Sequence, residues 1–524
     1  MAINKTTVQI VAVILLAAAL RFMALGLNPP SPYWEEAALG YDAYSILKTG
    51  KDFHGNAFPL TAFESFGDYK PSLYFYAAVP SVAAFGLNTF AVRFPSAFFG
   101  TLSVLFLFLL LKTILPKKLE LIATLAALFL AISPWHILIS RVGFEANLGL
   151  FLLIFGAWFW QKRLLIPAVT SLVAAMYAYH ANRVLVPLLG IGWGFLNWRR
   201  LLKLWQLSLT AVIVAVILVL PLLVKLNTSE IKQRFYETSA FSDLAPIIKS
   251  NLLISEDGGS VIAKLRHHRY WQYLGLAVAN YADHFSAQFL FLSGDNNPRH
   301  SIQTSGQLYL IFLPAILLGG WYLYGASKPA FNWLLLWLVL SPIPAALTKA
   351  TPHALRSLPL VLPMIALAAA GLVYLMGKRR LVAMGVALIL LFEFGRFWYS
   401  YQRQYPINYS GQWQYGYQEL VSFINDHYDQ YDQIYVTRAL GRPSIYYWFY
   451  SKTDPNLVQA ANSLVPKDQG EYLAFDKLTF GNPPAQLSPR SLVVSALPLN
   501  NYGNLVLTVN DLSNQPVFYA YEIK

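Results

Sequence analysis

The chain carries about eleven apolar stretches, each close to the roughly 20 residues a helix needs to cross a hydrocarbon core about 30 Å thick. They fall at 7–27, 92–113, 119–136, 146–160, 164–180, 184–198, 205–224, 307–325, 331–347, 355–376 and 380–398. In lipid every backbone N–H and C=O must pair within its own segment, so stretches of this kind predict a mainly α, polytopic helical membrane protein. With 56% hydrophobic and 12% charged residues the chain is not an ordinary soluble domain. The stretch 164–180 is short, and losing it as a span inverts everything downstream.

Lys and Arg resist translocation and mark cytoplasmic loops. Lys112, Lys117 and Lys118, then Lys162 and Arg163, then Arg199, Arg200 and Lys203, then Lys328, then Lys378, Arg379 and Arg380 fall in alternate loops. The expected topology has a cytoplasmic N-terminus, with 28–91, 137–145, 181–183, 225–306, 348–354 and 399–524 facing outward. Those loop residues account for much of the +13 net charge, so basicity points to a bilayer and not to nucleic acid. No small-residue cleavage site precedes Asn28, and the first stretch is read as a retained span. With no Cys, disulfides, thiolate nucleophiles and Cys-based metal sites are excluded. Beyond Tyr399 the composition turns to Asn, Gln, Asp, Tyr and Ser. The short apolar runs Ile434–Val436, Ser491–Ala496 and Leu505–Val509 predict strands there. The expected organisation is a membrane domain over 1–398 and an extracytoplasmic α/β domain over 399–524.

The polar residues that can do chemistry gather at the outward ends of the apolar stretches. Residues 28–91 hold Pro32-Tyr33-Trp34-Glu35-Glu36-Ala37, then Asp42, then Gly67-Asp68-Tyr69-Lys70-Pro71. Two carboxylates opening an amphipathic helix are favoured by the helix dipole. Beside Trp34 at a membrane surface, a partly desolvated carboxylate also suits a general base. Lys70 at headgroup depth either snorkels or meets a lipid-linked phosphate. Ser133-Pro134-Trp135-His136 closes the third stretch, and Arg141, Glu145 and Asn147 open the fourth. Such groups must pair, as Arg141 and Glu145 can at i,i+4, or line a wet cavity. Arg183 at the next outward turn is either a phosphate or sugar ligand or a helix-end snorkel. The loop 225–306 contains Lys264-Leu265-Arg266-His267-His268-Arg269-Tyr270 and Gly294-Asp295-Asn296-Asn297-Pro298-Arg299-His300. Thr351-Pro352-His353-Ala354-Leu355-Arg356 precedes the tenth stretch, and its guanidinium suits bidentate phosphate binding.

In combination, Tyr33-Trp34-Glu35-Glu36-Ala37, Gly67-Asp68-Tyr69-Lys70-Pro71 and Ser133-Pro134-Trp135-His136 with Arg141-Val142-Gly143-Phe144-Glu145-Ala146-Asn147 resemble the polyprenyl-phosphate-dependent glycosyltransferases. The specific likeness is to the protein O-mannosyltransferase and aminoarabinose-transferase superfamily, which has the GT-C fold. It is strongest in the N-terminal half and extends into Gln412-Trp413-Gln414-Tyr415-Gly416-Tyr417. The resemblance implies a sugar donor on a polyprenyl phosphate, inverting transfer to an acceptor hydroxyl, and an acidic base in the first outward loop. The family usually has Asp-Glu there, whereas this chain has Glu35-Glu36, so the carboxylate is moved by one methylene. By the same resemblance Glu145 is a second active-site acid and Arg356 lies at the lipid phosphate. Asp42, Asp68, Lys70, His136, Arg141, Arg183, His300 and His353 complete the expected substrate-binding set. The implied partners are the donor, the bilayer, and a protein, lipid or polysaccharide acceptor.

No metal site is expected. His267 and His268 are adjacent and point apart on a helix, and no carboxylate lies nearby at ligand spacing. A divalent cation weakly held by the acids of the first outward loop is the sole candidate cofactor. A lipid-linked substrate transporter or flippase is the rival reading, and it calls for mid-span charges and repeated halves, neither of which is found. A non-enzymatic membrane assembly protein is the other, and sugar release from a labelled donor separates all three.

Overall fold

The computed structural model describes residues 5–225, 228, 236–500 and 503–523, so residues 226–227 and 229–235 of the 225–306 loop lie outside the described residues. All eleven apolar stretches form helices. Six of these are long and apolar enough to cross a membrane: Lys5–Phe22, Thr89–Ile114, Trp205–Val224, Lys328–Ala346, Leu358–Lys378 and Arg380–Asn408. A seventh is bent by 57° between Lys117–Ile132 and Pro134–Ser140. The break falls at Ser133-Pro134, where proline removes an N–H and its ring opposes the helix before it. Leu165–Ala178, Asn182–Leu196 and Phe312–Ala326 are shorter apolar helices.

Contacts divide the chain into two units, each assembled from separated stretches. One comprises 1–20, 99–139 and 146–397, and the other 21–98, 140–145 and 398–524. We call them the bundle unit and the loop unit.

In the bundle unit most of the helix Leu358–Lys378 is buried, whereas Trp205–Val224 is largely exposed and offers Val212, Val216, Leu220 and Val224 outward. An apolar exposed helix of this kind is a lipid-facing one. The buried helix packs on Phe312–Ala326 at van der Waals closeness. A Cβ on Gly319 would stand 1.8 Å from the Leu367 carbonyl, and one on Gly371 2.1 Å from the Ala315 carbonyl. The two helices therefore meet backbone to backbone, as small residues permit in membranes.

In the loop unit the three predicted runs coincide to within a residue with strands Gln433–Val436, Ser491–Ser495 and Asn504–Asn510. They belong to a six-stranded mixed sheet ordered Ala474–Phe475, Leu478–Phe480, Gln433–Val436, Ser491–Ser495, Pro516–Ile523, Asn504–Asn510. Gln433–Val436 runs parallel to both its neighbours, and the outer pairs are antiparallel. The helix Trp34–Thr49 packs on the helix Pro443–Ser451, with the Tyr41 ring 5.8 Å from that of Trp448. That contact anchors the middle of Trp34–Thr49, about two turns beyond the two acids that open it.

Candidate active site

Glu35 and Glu36 share the first turn of Trp34–Thr49 and differ in every other respect. Glu36 is fully buried, and both of its oxygens are engaged. Oε1 accepts from Arg93 Nε at 2.9 Å and from the Gly143 N–H at 2.8 Å. Oε2 accepts from Arg93 Nη2 at 2.9 Å and from the Tyr33 N–H at 3.4 Å. Arg93, also fully buried, sends its other bonds to the carbonyls of Leu25 (3.2 Å), Pro29 (2.7 Å) and Ser31 (2.7 Å). A guanidinium has five N–H donors, and all five here find an acceptor. Glu36 and Arg93 thus lock the chain between Leu25 and Glu36 into one shape.

Glu35 points the other way and keeps 34% of its side chain exposed. Its Oε1 accepts from Lys70 Nζ at 3.0 Å, and Oε2 accepts from the Tyr33 hydroxyl at 3.2 Å. Lys70 also reaches Asp68 Oδ2 at 3.1 Å. Its placement comes from a hairpin, Ala62–Ser65 against Asp68–Pro71, whose turn residues Phe66 and Gly67 have φ of 54° and 75°. Two consecutive positive φ values are what a tight two-residue hairpin turn requires, and Gly67 supplies one of them without strain. Asp68 and Lys70, two apart on a strand, then share a face.

The aromatic floor beneath Glu36 comes from the Gln412–Tyr417 motif. Trp413 is buried 5.9 Å edge-on from Tyr33 and 5.8 Å from the Arg93 guanidinium, and its Nε1 donates to the Tyr405 hydroxyl. The loop around Gly441 lies against the Trp34 ring. Arg442 sits 5.2 Å over the Phe66 ring at the hairpin tip and pairs with buried Glu471, as does Arg438.

The loop unit holds Glu35, Glu36, Asp42, Asp68, Lys70, Arg141 and Glu145, and the bundle unit holds His136, Arg183, His300, His353 and Arg356. Arg141 is fully buried: Nε donates to the Tyr401 hydroxyl at 2.9 Å, and its Nη groups reach the carbonyls of Arg21, Ala24 and Asn28. Asp42 is also fully buried, its Oδ1 accepting from the Phe53 N–H while Oδ2 takes no hydrogen bond. Burial, reinforced by the negative charge of Asp52, holds its carboxyl well above the usual range. Glu145 opens the helix Glu145–Gln161, half-buried, and His136 is buried in Pro134–Ser140. Arg183 donates to the Met176 carbonyl, and Arg356 to the Thr348 hydroxyl.

His300 and His353 come together in the bundle unit, with ring centroids 5.0 Å apart, beside Asp295. Burial lowers the His353 ring well below the usual histidine range, and the charges of Arg356 and His300 add to this. Burial works against ionising Asp295, but the bond from His300, the His353 ring and the Ala354 N–H outweigh it and hold that carboxyl down at about 2.

Arg93, Tyr401, Trp413, Asp295, Arg438 and Arg442 are not among the site residues expected from sequence, yet Arg93, Tyr401 and Asp295 each contact one that is. Arg93 carried a usable signal, a charge just inside the outward end of the apolar stretch 92–113.

Residues 11–142 match the family model for dolichyl-phosphate-mannose-protein mannosyltransferase, about a quarter of the chain. The chain has the GT-C membrane fold. That fold is shared almost end to end with ArnT from Cupriavidus metallidurans. For ArnT bound to undecaprenyl phosphate the TM-score is 0.53 at 11% identity, over 98% of each chain. For apo ArnT it is 0.55 at 11% identity, over 99% of this chain and 98% of that one. The oligosaccharyltransferase AglB from Archaeoglobus fulgidus, in complex with a peptide and dolichol phosphate, aligns with a TM-score of 0.50 at 13% identity, over 85% of this chain and 63% of its own. By sequence, no curated protein matches.

Proposed function

We propose that this GT-C enzyme transfers a sugar, with inversion, from a polyprenyl-phosphate carrier to an acceptor hydroxyl on the extracytoplasmic side of the membrane, with Glu35 as base. One observation carries the choice of residue: of two adjacent acids, Glu36 is consumed by Arg93, while Glu35 is reachable from solvent and touches a lysine. The donor class is supported by the mannosyltransferase family match and by the undecaprenyl phosphate bound to ArnT.

Lys70 bridges two carboxylates, Glu35 and Asp68, so the cluster carries a net negative charge with a cation at its centre. A phosphate oxygen arriving beside Lys70 competes with Glu35 for the ammonium. A carboxylate that loses its cationic partner becomes more basic. Donor binding thereby turns Glu35 from an ion-pair partner into a base. Glu35 then takes the proton of the acceptor hydroxyl as that oxygen bonds to the anomeric carbon. The bond from that carbon to the phosphate oxygen breaks, and polyprenyl phosphate leaves with its added charge facing Lys70, where fixed positive charge helps most. Arg356 is proposed as a further phosphate ligand and Glu145 as a second acid. Residues 399–524 are proposed to recognise the acceptor.

The test is Glu35→Gln assayed with a radiolabelled polyprenyl-phosphate sugar. Transfer is expected to fall by about 10²–10⁴-fold, while donor lipid still binds. Full activity moves the base elsewhere. Because the chain has no Cys, a single cysteine at position 35 reports sidedness directly. Labelling only from the cytosol refutes the extracytoplasmic assignment.

A further inference from the structure

Asp295 and His300, in the loop after the Gln288–Leu292 turn, and His353, in the segment before Leu358–Leu360, bring a carboxylate oxygen and two imidazole nitrogens within 4.8 Å of one another. His300 Nδ1 lies 3.1 Å from Asp295 Oδ2, and the two imidazole rings are tilted by 34°. A buried Asp–His hydrogen bond alone explains two of these residues. It leaves His353 unexplained, since its Nδ1 is buried at the same place and makes no hydrogen bond. Buried polar atoms in native proteins nearly always find a partner.

A metal ion would supply that partner. Two imidazoles and a carboxylate are a zinc donor set, and three protein ligands leave a fourth position for water or another oxygen. Zinc–nitrogen bonds of about 2.0–2.1 Å place tetrahedral donor atoms about 3.3 Å apart. The Asp295–His300 separation of 3.1 Å is within about 0.2 Å of that value, and the widest separation in the group has at most about 1.5 Å to close. The carboxylate is held from behind, as metal-ligating carboxylates are. Asp295 Oδ1 accepts from the Asn297 N–H at 2.8 Å, and Oδ2 from the Ala354 N–H at 2.7 Å. The His353 N–H donates to His284 Nε2, which fixes the start of that segment as well.

We infer that Asp295, His300 and His353 bind a divalent transition-metal ion of the zinc class. The ion clips the 293–305 loop to the segment that carries Arg356, three residues beyond His353. Its ligands are other residues than the His267–His268 pair and the acids of the first loop. It stands independently of the role proposed for Glu35.

The experiment uses full-length protein in detergent, purified without a polyhistidine tag. Zinc content is measured by mass spectrometry, and after chelation Co²⁺ is titrated in. About one zinc per chain and visible d–d absorption from tetrahedral Co²⁺ are expected. His353→Gln and His300→Gln should each weaken Co²⁺ binding by at least about tenfold, while His268→Gln leaves it unchanged. Should the ligand variants fold poorly, wild-type melting serves instead: chelation should lower the melting temperature and zinc should restore it. Absence of metal together with no Co²⁺ spectrum, or full Co²⁺ binding by folded His300→Gln and His353→Gln, or melting unmoved by chelation, overturns the assignment.

Discussion

Glutamine at position 36 and glutamine at position 35 are expected to fail in opposite ways. Glu36→Gln keeps one oxygen for Arg93 Nε and the Gly143 N–H, but turns an NH₂ towards Arg93 Nη2 and the Tyr33 N–H, donor against donor. It also leaves the Arg93 guanidinium buried without its counter-charge. Breaking one side of such a pair costs about 3–5 kcal/mol. In a unit of about 200 residues, each kcal/mol moves the melting temperature by about 2–4 °C, so a drop of about 6–20 °C is expected. Glu35→Gln breaks a partly exposed pair worth about 0–1 kcal/mol. Its melting point should stay within about 4 °C of wild type, and its transfer activity should collapse. The 14 tryptophans allow both melts to be followed by intrinsic fluorescence in detergent, alongside the radiolabelled transfer assay. If Glu36→Gln melts with wild type, or if a stable Glu36→Gln loses transfer while Glu35→Gln keeps it, the division of labour between the two acids is wrong.

Lys70→Gln should lower kcat more than it raises the donor KM, because the cation helps most as the phosphate leaves, and Lys70→Arg should recover part of the loss. Equal kinetics in wild type and Lys70→Gln would remove Lys70 from the mechanism. Gly319→Ala should destabilise the bundle unit by at least about 1–3 kcal/mol through overpacking, whereas the adjacent Gly320→Ala, with nothing within 4 Å of the new Cβ, should be neutral or stabilising. Equal melting points for the two variants contradict the close helix contact. Asp42 has a raised folded-state pKa, so its contribution is full at pH below the unfolded value and is lost as pH rises towards the folded one. Asp42→Asn should therefore melt above wild type at neutral pH, by a margin that shrinks on acidification. A margin independent of pH is the contrary result.

Much of the helical layout was legible because a membrane allows few alternatives. All eleven apolar stretches became helices, although several are too short to cross by length alone. The strands after residue 430 were legible from β-rich runs between polar stretches. Within the site, the motif residues of the first loop were found from sequence, but the separate fates of Glu35 and Glu36 were not. What distinguishes them is Arg93, 57 residues downstream of Glu36, and Gly143, 107 residues downstream. The same limit hid the partner of Arg141, since Tyr401 lies 260 residues away. The Asp295 cluster was quoted in part from the sequence, yet nothing local says that position 353 folds back onto 295 and 300.

The order of synthesis gives the loop unit an awkward birth. Asn28 bonds to the Tyr401 carbonyl 373 residues later, and the Tyr41 hydroxyl to the Thr453 carbonyl 412 residues later. At about 5–20 residues per second, those partners leave the ribosome about 20 to 80 s after the segment that needs them. Through that interval Glu36, Arg93 and Gly143 can already hold the early loop together, but the rings of Tyr41 and Phe53 still lack the Trp448 side chain that later covers them. A message truncated before codon 448 would yield a chain that inserts into the bilayer and never finishes, a natural client for membrane-bound chaperones and proteases.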